Sequence, residues 1–209
     1  MTKLTGKFYG LFPSLLMQDR LSPQDSDLNI KLRAALVAIR AITPNGQPLH
    51  SACQSYTTQW TDDKLHRRSE LAEIVALVQD RATIYAEKSM LDLSVGALRI
   101  NACWLTVLAK GEAVEMHTNA NSIFSAIYFV DMPPEGSVLR FFSSVGENWP
   151  DIPTTERNTL NKRMEIVEAQ SGELAVFPSH LINEICRHDS TIDHVSLTFT
   201  FDLALTDTA

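Results

Sequence analysis

The tightest constraint on this chain is a strict alternation near its end. Val195, Leu197, Phe199, Phe201 and Leu203 are apolar, and His194, Ser196, Thr198, Thr200 and Asp202 interleave with them. A period of two is the signature of a strand, because successive side chains leave opposite faces of the pleat. Such a strand has one wholly apolar face that must be covered. That face is expected to pack under helices, which leaves the polar row to line either solvent or a pocket.

The helices that could supply the cover lie in the first half. Asp27 to Ile42 reads as an amphipathic helix, with Leu28, Leu32, Leu36 and Ile39 on one face and Pro44-Asn45-Gly46 as its stop. A second helical stretch is expected from about Lys64 to Lys88. Its stripe is Leu71, Ile74, Val75, Val78 and Tyr85, and Asp62 or Asp63 is placed to cap its start. Both helices read as scaffold.

After Leu98 the pattern becomes strand-like. Ile100–Ala109, Ile123–Val130, Val138–Phe142, Met164–Glu168 and Leu174–Phe177 are short runs rich in apolar, β-branched or aromatic residues. Pro133-Pro134-Glu135-Gly136 and Gln170-Ser171-Gly172-Glu173 read as turns. The polar stretch Ser143 to Arg163, with Asn148, Trp149, Pro150 and Pro153, is long for an inert connection and suggests a lid or binding loop. Helices followed by many short strands predict an α+β fold, a barrel or sandwich backed by N-terminal helices. The 209 residues are expected to form one domain, with a helical layer over about 25–90 and a barrel core over about 98–205.

Bulk properties exclude some functions. A net charge of −7 opposes general nucleic-acid binding, which needs a basic patch to displace counterions. No apolar run approaches the roughly 20 residues that span a bilayer, and the first residues lack the apolar core of a signal peptide. The three cysteines, Cys53, Cys103 and Cys186, are far apart and not in CxxC pairs, so neither a disulfide framework nor a structural zinc site is indicated. Together these point to a cytoplasmic protein with a small molecule or peptide as its substrate or ligand. A homodimer is left open, because the sequence does not locate an apolar patch.

One segment carries candidate chemistry. In Glu115-Met116-His117-Thr118-Asn119, extended backbone puts His117 and Asn119 on one face. A His-x-(His/Asp) pair on a strand face is a usual start for a non-haem iron site. His-x-Asn alone is a weak signal. The succession is more specific: Trp104, Gly111, His117-Thr118-Asn119-Ala120-Asn121-Ser122, Ser125, Tyr128, Pro133, Gly136, Leu139, Phe141, then Ser171-Gly172-Glu173-Leu174 and Phe177-Pro178-Ser179. It resembles the bacterial and phage family of 2-oxoglutarate/Fe(II) oxygenases of the small double-stranded β-helix type. Upstream, Leu11-Phe12-Pro13 resembles that family's opening strand, and Thr58-Gln59-Trp60 with Leu65 resembles the stretch before its long helix.

The resemblance implies a jelly-roll, cupin-like barrel, dioxygenase activity, and Fe(II) and 2-oxoglutarate as cofactors. It also implies ligand positions. The first iron ligand is retained as His117. The second falls on Asn119, and the distal histidine position on Asn183. The arginine that would hold the far carboxylate of 2-oxoglutarate is replaced by His194. An amide oxygen is a poor ligand for Fe(II), and histidine lacks arginine's bidentate fork.

Three readings follow. The chain could be an oxygenase whose iron site is lost or rebuilt, the latter from His117, His194 and His180 with Glu184 or Asp193 nearby. It could be a metal-independent isomerase, cyclase or hydrolase, with His117 and His194 as acid and base and Asn119, Asn183 and Tyr128 as hydrogen-bond donors. Or it could be a non-catalytic binding protein on the same scaffold. Arg140 or Arg99 could supply charge for an anionic cofactor. His50, His66 and His188 have no supporting partners in sequence and are assigned no role.

Overall fold

The computed structural model of the chain describes residue 7 and residues 13–133, 138–143, 153–158 and 161–205. The alternating segment becomes strand β10 (His194–Leu205), flanked by β3 (Gly96–Leu108) and β5 (Phe124–Asp131), both antiparallel to it. Adding β1 (Met17–Arg20), β2 (Tyr56–Thr57) and β8 (Glu173–Pro178) gives a six-stranded sheet of order β1-β8-β5-β10-β3-β2. A smaller sheet of β4 (Val114–His117), β6 (Leu139–Phe142), β7 (Met164–Val167) and β9 (Ile182–Ile185) runs in the order β4-β9-β6-β7. The two sheets form a double-stranded β-helix.

Strand parity divides the larger sheet between two cores. On one face Leu197, Phe199 and Phe201 of β10, Ala126 and Tyr128 of β5, and Leu174 and Val176 of β8 pack under the helices. They meet Leu32, Leu36 and Ile39 of α1 (Asp27–Ile42) and Ile74, Val78, Ala82 and Tyr85 of α2 (Ala72–Lys88). Tyr85 and Phe124 pack edge to face with centroids 4.9 Å apart. On the other face Ile127, Phe129, Ala175 and Phe177 meet Leu139, Phe141 and Ile185 of the small sheet. At about 25 cal/mol per Å² of apolar area, burying side chains of this size on both faces is the main force holding the layers together.

Helix α1 has the expected bounds. Ser26 caps it by accepting a bond from Asn29 N at 3.2 Å, and Thr43 ends it. The second helix starts later than its periodicity suggests. Leu65–Arg67 and Ser69–Leu71 are 3₁₀ turns, and α2 begins at Ala72. The cause is a tether: Cys103 N donates to Asp63 O at 2.7 Å and Lys64 bridges Cys103, so the entry stays extended against β3. Asp62 accepts from Lys64 N at 3.1 Å ahead of the first 3₁₀ turn, and caps neither that turn nor the helix.

The other expected strands appear with small shifts at their ends, while β1, β2, β4 and β9 are too short to show a period. Leu11 and Phe12 of the expected opening strand lie outside the described residues; Pro13 is in no strand, and the first described strand is Met17–Arg20. Pro134, Glu135 and Gly136 of the expected turn, and Asn148, Trp149 and Pro150 of the expected lid, also lie outside them.

Gly172 joins the layers. Its φ of +88° is in the left-handed region, and a Cβ there would sit 1.7 Å from Ser22 O. Its nitrogen donates to Phe129 O, and its oxygen accepts from Leu21 N and Ser22 N, which ties the end of β1 to the β5–β8 pair.

Candidate functional site

Between the sheets lies a cavity of about 430 Å³. Its inner wall comes from Trp104 and Thr106 of β3, Ile127 of β5 and Thr198 of β10. The facing wall comes from Val114–His117 of β4, the following Thr118 and Asn119, and Asn183 and Ile185 of β9. The connection between α1 and α2 closes the side with Gln47, His50, Ser51, Ser55, Gln59 and Trp60. Of the polar row of β10, Thr198 lines this cavity, while His194, Ser196 and Thr200 are buried outside its lining.

His117 stands at the end of β4 with its Nδ1 2.8 Å from Glu115 O. A carbonyl oxygen only accepts, so Nδ1 carries the proton and the Nε2 lone pair is available. Fixing one ring nitrogen on a backbone carbonyl is how a histidine is oriented for ligation or proton transfer. Asn183 lies directly across the strand pair from His117. Its Nδ2 donates to His117 O at 3.3 Å and Leu181 O at 3.0 Å, which defines the orientation of the amide. Its Oδ1 is buried and has no hydrogen-bond partner among the described residues. Asn119 shares the cavity face with His117. Its Nδ2 donates to Ser125 Oγ at 2.8 Å, Ser125 and Ser179 hydroxyls are 2.7 Å apart, and Asn119 N donates to Ser179 O at 3.1 Å.

Three expected site residues are elsewhere. Tyr128 is on the helix-facing parity of β5, donating to Asn29 Oδ1 of α1 at 2.5 Å. Burial pushes its phenol up to about 12. It cannot serve as a donor in the cavity. Arg140 alternates with the inward Leu139 and Phe141, so it lies on the outer face of β6, 3.0 Å from Glu184 and bonded to Cys186 Sγ. It is not placed to hold a cofactor in the cavity.

His194 is on the inward face of β10 but lies in the packed interior, outside the cavity lining. Its Nε2 is 2.9 Å from Ser196 Oγ, and its ring meets Phe129 edge-on at 6.0 Å. Burial, with a smaller contribution from the charge of His188, lowers its pKa to about 3. A histidine that stays neutral in that environment is neither a cavity acid nor a carboxylate clamp.

The groups named for a rebuilt metal site do not meet either. His180 is exposed in a turn, Glu184 pairs with Arg140, and Asp193 faces Arg40 at 3.4 Å. Among the described residues no group of three or more His, Cys, Asp or Glu is arranged to hold a metal ion.

Sequence reasoning passed over the cavity's side wall. His50 lines it although it was assigned no role, and so do Gln47, Ser51 and Trp60. Glu115 is the cavity's carboxylate. Ser51 Oγ donates to its Oε1 at 2.5 Å and Cys53 N at 2.9 Å. Those bonds hold the carboxyl below its ordinary range, the Ser51 bond contributing most. No Lys or Arg is found among the described residues that line the cavity.

Residues 102–200 match the family described as "Putative 2OG-Fe(II) oxygenase". The fold is that of the 2-oxoglutarate/Fe(II) oxygenases. The resemblance read from the second half of the sequence therefore holds, while the part upstream of residue 102 lies beyond the family match and is covered by likeness of fold. A Pseudomonas putida prolyl-4-hydroxylase is similar at TM-score 0.59 and 18% identity, over 89% of this chain and 91% of that one. The epimerase SnoN, in complex with Fe3+, alpha ketoglutarate and nogalamycin RO, is similar at 0.61 and 11%, over 89% and 78%. HygX from Streptomyces hygroscopicus, with nickel, 2-oxoglutarate and hygromycin B bound, is similar at 0.57 and 12%, over 89% and 82%. At these identities the likeness is one of fold. No curated protein sequence matches the chain.

Proposed function

We propose that this oxygenase-fold protein binds a small organic molecule or peptide group in the cavity beside His117, and that the family's Fe(II) and 2-oxoglutarate chemistry has been lost. The observation that carries this reading is the donor set. His117 offers one imidazole, and the positions that the family resemblance assigns to its partners are the amides Asn119 and Asn183, one of them tied to Ser125 and the other to backbone carbonyls. Neutral amides leave a dication without compensating charge, and Fe(II) favours imidazole and carboxylate. A dicarboxylate co-substrate suits the cavity no better, since no Lys or Arg among its described lining residues is there to pair with it.

The experiment is metal analysis of protein purified without chelator, followed by titration with Fe(II) and 2-oxoglutarate. The expected result is far less than one iron per chain and no saturable 2-oxoglutarate binding. Stoichiometric iron with tight 2-oxoglutarate binding would overturn the reading.

A second reading has an observation of its own. The tautomer favoured by Glu115 O leaves Nε2 of the cavity-lining His117 free to act as a base, which favours metal-independent proton transfer. His194 plays no part in this version. If a turnover assay is found, His117→Gln should remove activity while leaving ligand affinity within about threefold; unchanged turnover would exclude it.

A further inference from the structure

We propose that the cavity selects an organic cation, an amine-bearing molecule with an apolar body, in contrast to the dianion the fold ordinarily takes; this deepens the preceding reading and rests on it. The charge inventory is one-sided. Glu115 lines the cavity, its described lining has no Lys or Arg, and the chain carries a net −7. An anion entering such a site gives up water and meets no counter-charge, whereas a cation meets one.

Hydrogen-bonding capacity points the same way. His117 Nε2 is an acceptor, because Nδ1 holds the ring proton against Glu115 O. An ammonium group brings three donors and no acceptor. Trp104 on the sheet wall and Trp60 on the loop wall add indole surface, whose quadrupole attracts cations and whose area suits an apolar body. Ser51 Oγ and Cys53 N both donate to Glu115 Oε1 and hold the carboxyl group in place at the cavity wall.

The test uses the full chain, freed of metal, and calorimetric titration with benzylamine, benzyl alcohol and benzoate, which share a ring and differ in charge. Benzylamine should bind at least about tenfold more tightly than benzyl alcohol, and benzoate not measurably. Glu115→Gln keeps an oxygen for Ser51 and Cys53 and should cost the amine about tenfold while leaving the alcohol unchanged. Glu115→Lys should reverse the preference in favour of benzoate. Benzoate equal to or tighter than benzylamine in the native chain, no benzylamine binding, or an unaltered amine affinity in Glu115→Gln would each overturn the cation assignment. None of these touches the loss of the iron site, which fails separately if Fe(II) confers 2-oxoglutarate binding in the same titration.

Discussion

Single side chains decide what this barrel can bind. His117 is oriented as a ligating histidine would be, with its Nδ1 on Glu115 O, but Asn183 across the strand pair offers an amide. On the proposed reading, supplying the family's donors should supply metal binding. The double variant Asn119→Asp, Asn183→His should bind Fe(II) at least about a hundredfold more tightly than the native chain, read by metal-dependent calorimetry. Tyr128 tests the opposite assignment. Tyr128→Phe removes the donor to buried Asn29 and should cost about 1–3 kcal/mol in urea unfolding, with no change in cavity binding. An altered ligand affinity at unchanged stability would return Tyr128 to the site.

His194 makes a pH prediction. Its folded pKa, about 3, lies below the ordinary value of 6.5, so the unfolded chain binds the proton more readily. The stability this provides is present above about pH 6.5 and falls as pH drops through the window toward 3, by up to ~1.4 kcal/mol per unit. Unfolding free energies at pH 7 and 5.5 should show this slope in the native chain, and His194→Gln should flatten it.

At the scale of elements, Gly172 is the turn on which the layers depend. Gly172→Ala meets Ser22 O in a left-handed conformation and should cost roughly 3 kcal/mol or more, with amide exchange accelerated first along Met17–Arg20. A loss below about 1 kcal/mol would mean the β1 clamp contributes little.

Elements also explain what could be read beforehand. Long periodic segments were legible: α1 has the expected bounds, and the last strand has the expected helix-facing row. Strand β5 was legible as a strand but not in its facing, because nearly every residue in Phe124–Asp131 is buried. With no polar row to mark a side, Tyr128 was placed in the cavity when it points at α1. Arg140 misled similarly, since its four-residue strand is too short for parity to show. His50 and Trp60 were missed because an irregular connection positions them, and such a segment has no periodic signal. His117, Asn119 and Asn183, singled out by the order of motifs along the chain, line one cavity, because motif order marks position without needing parity.

On the proposed reading, the molecule as a whole couples a cavity ligand to its stability. A ligand that enters only the folded cavity stabilises by mass action, about 2.7 kcal/mol at a free concentration of 100 times its dissociation constant. Saturating benzylamine should therefore raise the melting temperature, and equal concentrations of benzoate should leave it where it was.

The larger sheet carries a further consequence for inheritance. Adjacent codons of β10 answer to different demands: Leu197 and Phe199 to the core beneath the helices, Thr198 to the cavity. A saturation library across this strand should sort by residue number. Odd positions such as 197 and 199 should reject polar replacements in a folding screen, and Thr198 should tolerate many and alter only what binds. A lineage built on such a strand can exchange one chemistry for another, a codon at a time, without passing through an unfolded ancestor.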